Sequence, residues 1–199
     1  MTTNPLPKIT ATSVSLICED AGLSDEAKRC VSDQLHPADY VSQLISSKLW
    51  PDAIRFLSRA LPKREATWWA CLAARSTVND ATPVQQIQAL EAAEAWVYRP
   101  TEENRRGAYE CAVAATFENP SSWAAMAAFW SGGSMTAPDL PVVPPADNLT
   151  SKAATGAIML SAVQGDPRIL EETYQLYLKK GLDIAAGGDG RAQAESDSE

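Results

Sequence analysis

Few residues in this chain have the types and spacing that chemistry needs. It holds a single histidine, His36, and any Ser-His-Asp or Cys-His mechanism would have to use it. His36 stands before Pro37 and Asp39, where a helix should begin, and no G-x-S-x-G nucleophile elbow occurs in the chain. Its position predicts an exposed or capping residue. Glu91 and Glu94 share one helix face, and Glu102, Glu103, Glu110 and Glu118 could approach from the next helix. A carboxylate di-metal site in a helical bundle needs two E-x-x-H pairs, which one histidine cannot supply. Cys18, Cys30, Cys71 and Cys111 lie far apart without a C-x-x-C, so they read as small buried thiols rather than zinc ligands. There is no G-x-x-x-x-G-K-[ST] and no G-x-G-x-x-G opening a helix. The cluster Gly187-Gly188-Asp189-Gly190 follows a helix, the wrong end for holding phosphate. The expectation is a chain with no catalytic residue, no metal and no cofactor.

Two features remain that could bind something. The first is tryptophan, of which there are six. Trp68, Trp69 and Trp123 could line a ligand pocket between helices, or they could simply fill a core. Stacking on single-stranded nucleic acid is disfavoured, because a formal charge of -8 repels phosphate. The second feature is the stretch Gly132 to Leu149, which lacks helix periodicity. Pro138, Pro141, Pro144 and Pro145 favour a stiff, extended polyproline path, while Leu140, Val142 and Val143 give it apolar residues to press on something. Loops of this length are uncommon and usually functional or disordered. This strap is expected to close the core over Trp130 and the helix at 150–164. Trp130, Leu140, Val142 and Val143 are its candidate partner-binding residues.

The elements that would position these residues are helices. The chain has 199 residues, 45% of them apolar, enough for one full core without staples. Alanine is the best helix former, and Val and Ile do not alternate as in strands. Pro37, Pro51, Pro62, Pro83, Pro120 and Pro167 each open an apolar-periodic stretch, as suits the first turn of a helix. Thr82, Asn119 and Asp166 stand before three of them as expected N-caps, and Ser24 caps an earlier one. Helical patterns follow at about 13–21, 24–33, 38–48, 51–61, 63–77, 83–98, 102–117, 120–131, 150–164 and 167–185. The reading is all-α: a single domain of about eight helices. Antiparallel hairpins would pack as a bundle or a short solenoid. The match of WACLAA, from Trp69, with WAAMAA, from Trp123, raises the solenoid option. Residues 1–12 read as a flexible lead, 13–186 as the helical domain, and 187–199 as a disordered acidic tail.

No window is apolar enough to span a membrane, and the N-terminus lacks both a charged start and a long apolar run, so a cytoplasmic location is expected. Three runs carry a family likeness: DAIRFLSRALPKREATWWACLAAR from Asp52, ALEAAEAWV from Ala89, and SWAAMAAFWSGGSMTAPDLPVVPP from Ser122. Over roughly residues 35–182 the chain resembles an uncharacterised bacterial all-helical domain family associated with type VI secretion gene neighbourhoods. That resemblance implies an accessory or adaptor role and supplies no catalytic residues. The expected function is therefore a non-enzymatic protein-protein interaction module of a secretion-type assembly, with another protein as partner and self-association left open. The alternative is a small-molecule-binding regulatory domain built around the tryptophans.

Overall fold

Local signals in the chain set where each helix starts. In the computed structural model, which describes residues 6–32 and 34–191, side chains accept the first free amides of several helices. Ser13 caps α1 (Val14–Glu19) and Ser24 caps α2 (Asp25–Arg29). His36 caps α3 (Pro37–Ser46) through Nδ1, which accepts from the Ala38 amide at 3.2 Å. Next come α4 (Trp50–Ala60) and α5 (Lys63–Arg75), then α6 (Val84–Tyr98). Thr101 caps α7 (Glu102–Ala114), and Asn119 caps α8 (Pro120–Phe129). After the strap follow α9 (Leu149–Val163) and a 3-10 turn (Pro167–Ile169) capped by Asp166, which leads into α10 (Leu170–Ala186). Thr82 behaves differently from expectation. Pro83 itself takes the cap position of α6, and the Thr82 hydroxyl accepts from the Asn79 amide at 2.9 Å, closing the preceding turn.

The chain is all-α, with no strand among the described residues. Its eight longer helices follow the two short leading ones. They form a bundle and not a solenoid. In a solenoid each unit meets only its neighbours, whereas α8 packs at once against α5, α6, α7 and α9, and α10 returns to α4 and α5. Alanine permits this crowding. Ala124, Ala125, Ala127 and Ala128 of α8 are fully buried, as are Ala153, Ala154 and Ala157 of α9. Small side chains let helix axes approach closely. The two echoed tryptophans are not equivalent. Trp69 is fully buried and donates Nε1–H to the Tyr177 carbonyl at 2.8 Å, while Trp123 remains half-buried.

The first and last described residues are packed, whereas most of the expected tail lies outside the described residues. Leu6 and Ile9 are buried, and the Lys8 amide donates to Ala185 at 3.0 Å. At the other end Gly187 takes φ +102, and the amides of Gly187 and Gly188 return to Ile184 and Asp183. That pairing is a Schellman ending, which satisfies the last carbonyls of α10. Residues 1–5, 33 and 192–199 lie outside the described residues.

Candidate functional site

The strap is held by a buried arginine of α7. Arg105, on the inner side of α7, forms a two-pronged pair with Glu102 at 2.6 and 2.7 Å. Its Nη1 donates to the Phe129 carbonyl at 2.7 Å, and its Nη2 donates to the Ser134 carbonyl at 2.8 Å. The guanidinium also lies over the Phe129 ring, 4.7 Å from its centroid. One side chain thus ties the end of α8 and the start of the strap to α7. A guanidinium suits this task because its planar fork aims several donors at once. Gly133 is required beside it. Its φ is +64, and a Cβ there would fall 2.9 Å from Arg105 Nε.

Beyond Gly133 the strap folds on itself. The Met135 amide donates to the Val143 carbonyl at 2.8 Å, the Val143 amide to Ser134 Oγ at 3.1 Å, and the Thr136 hydroxyl to Pro141 at 2.7 Å. Arg106 holds the outer edge, donating to the Thr136 carbonyl at 3.0 Å and to Glu102 at 2.7 Å. Its far end is pinned by Asp147, which takes Arg59 at 2.9 Å and Lys63 at 3.1 Å. These bonds hold the Glu102 carboxyl below the ordinary range, Arg105 contributing most, and lower that of Asp147, chiefly through Lys63. The loop is thus fixed in shape through its backbone.

Its apolar side chains face outward. Leu140, Val142 and Val143 are 53%, 76% and 43% exposed. This corrects the expectation that the strap closes the core with them. Trp130, at the end of α8, is half-buried and rests against Trp123, ring centroids 6.5 Å apart. A second exposed row was not anticipated. Tyr109 and Val113 stand on α7 three and seven residues after Arg106, on the face where the strap is attached, and Phe117 continues the row in the following turn; all three are exposed. Their i, i+4 spacing is readable in the sequence, but the more regular Ala108/Ala112 row hides it.

The structure does not gather Trp68, Trp69 and Trp123 into one pocket. Trp69 is sealed in the core, and Trp123 lies against Gly156 of α9 while donating to the Phe117 carbonyl at 2.9 Å. Trp68 alone lines an open cleft, shared with Tyr98 and the C-terminal segment. Other chemistry is muted. Burial raises the thiols of Cys18, Cys71 and Cys111 above the ordinary range, which suppresses the reactive thiolate. Among the described residues no three or more His, Cys, Asp or Glu are grouped to hold a metal ion, and no helix is long and apolar enough to cross a membrane.

An all-α bundle presenting an arginine-clamped, outward-facing strap is the class of domain that these observations define. Residues 40–185 match the model of a family of unknown function, DUF6931, and the chain belongs to that family. No curated protein and no solved structure matches it.

Proposed function

We propose that this domain is a non-enzymatic interaction module whose strap docks on another protein, as a cytoplasmic accessory of a bacterial secretion-type assembly of the type VI kind. The observation that carries the reading is the strap's combination of exposed apolar side chains and a hydrogen-bonded backbone. Binding normally loses free energy to the ordering of loops, and a loop already held in one shape avoids much of that loss. Leu140, Val142 and Val143 would form the apolar centre of the contact, which the exposed Tyr109 and Val113 of α7 would extend. Arg105 and Arg106 act behind it by setting its shape. The type VI setting rests on the sequence resemblance.

The test is affinity purification from the native host with intact protein and with Leu140→Ser, Val142→Ser and Val143→Ser combined. The expected result is a stoichiometric secretion-system component that the triple variant loses, with its far-UV circular dichroism unchanged. An identical set of captured proteins from both would refute the strap's role.

A further inference from the structure

A second surface, sharing no lining residue with the strap, is built around Trp68. The segment that follows α10, residues 187–191, forms one of its walls. After the Schellman turn, the Gly190 amide donates to Asp183 at 2.9 Å, and Trp68 Nε1–H donates to the Asp189 carbonyl at 2.7 Å. Gly190 takes φ +70 and is packed so closely that a Cβ would fall 2.6 Å from Leu72. Arg191 then lies over the Trp68 ring, 4.9 Å from its centroid, and donates to the Tyr98 hydroxyl at 2.8 Å. The Trp68 and Tyr98 rings stand 5.8 Å apart at 60°. With their neighbours they line an open cleft of about 250 Å³.

Its charge is opposite in trend to the rest of the molecule. The chain carries -8 overall, yet three cations, Lys8, Arg64 and Arg191, line the cleft against two carboxylates, Glu65 and Asp189. Lys8 is paired with Glu65 at 3.1 Å. Arg64 donates Nε–H to the Val97 carbonyl at 2.6 Å, and no acceptor among the described residues engages its terminal nitrogens. The cation-attracting face of Trp68 already carries Arg191, so a second cation entering the cleft would meet like charge. An anion with a flat apolar body would meet aromatic walls and two guanidinium groups suited to carboxylate.

We propose that this cleft binds a small planar anion, an aromatic carboxylate in chemical class, with its ring in the cleft between Trp68 and Tyr98 and its carboxylate on Arg64 and Arg191. The experiment uses the full chain and 2-naphthoate, followed by the indole Nε1–H signals in two-dimensional NMR. Trp68→Phe assigns the Trp68 signal, and the core Trp69 signal reports that each variant is folded. 2-Naphthylmethylammonium is the charge-reversed control. Naphthoate should shift the Trp68 signal saturably. Arg64→Gln, at an exposed position, and Arg64→Gln with Arg191→Gln should weaken binding progressively, the double variant by about tenfold or more. The strap variant should bind as the wild type does, which separates this outcome from that of the docking reading. Absence of a shift at millimolar naphthoate, equal binding of the ammonium control, or folded arginine variants that bind unchanged would overturn the proposal.

Discussion

Single side chains in this bundle are set by how little room their neighbours leave. Gly181 of α10 shows it best. It lies against Trp69, and a Cβ there would fall 2.6 Å from the indole ring and 2.9 Å from Leu57. Neither neighbour can yield easily, since both are fully buried and Trp69 is fixed by its bond to Tyr177. Gly181→Ala would ordinarily favour a helix by up to about 1 kcal/mol. Here overpacking should win, with a net loss of about 1–3 kcal/mol, read as a lower midpoint in urea unfolding. A composition argument predicts the opposite sign, so the measurement separates the two. His36 shows the converse case, where local sequence was enough. Its place before Pro37 marks a cap, and the imidazole takes the Ala38 amide.

Among the elements, the α7–strap pair is where charge and shape meet. Arg105 is buried and satisfies two carbonyls that no other donor described here reaches, Phe129 and Ser134. Arg105→Gln should cost about 3 kcal/mol, because it strands those acceptors and unpairs Glu102. Arg105→Lys should recover little, since an ammonium cannot serve both carbonyls and the carboxylate in that fork. Thermal unfolding of the two variants checks this. The same clamp has a pH signature. The Glu102 carboxyl is held below its ordinary value of 4.5, so its contribution is complete above that value and is lost as the pH falls through the depressed one. The hydrogen-exchange protection factor of the Met135 amide, which bonds Val143 across the strap, should therefore be steady from neutral pH down to about 5 and decline below 4.5. Protection that falls already between pH 7 and 5 would assign the strap's order to something other than this carboxylate.

For the molecule as a whole, the packing of α8 against α5, α6, α7 and α9 joins the long helices through one core. Solenoids unfold by sections because their units meet only neighbours. This bundle should unfold in one transition, with far-UV and near-UV circular dichroism coincident across urea. Two separated transitions would show that the core is divided. The clamped strap and the Trp68 cleft sit on this common support and share no lining residue, so substitutions in one should leave the other's binding intact.

Much of the fold could be read from the chain directly. Proline and Ser, Asn or Asp at helix starts, alanine content and 3.6-residue apolar spacing are local quantities, and the helices stand near where those signals put them. That signal also left out strands. The candidate sites were legible only in part. The strap's existence followed from its prolines, but its orientation did not, because Arg105, distant in sequence, holds it through backbone carbonyls and leaves Leu140, Val142 and Val143 outside. The adjacent tryptophans are chemically alike in sequence, yet neighbouring positions on a helix point about 100° apart. Trp69 therefore faces the core, while Trp68 meets Tyr98 and Arg191. The glycines after α10 read as a tail until contacts with Trp68, Leu72 and Asp183 made them a wall. Long-range contacts of that kind leave no period in the sequence, and only the packed chain brings their partners together.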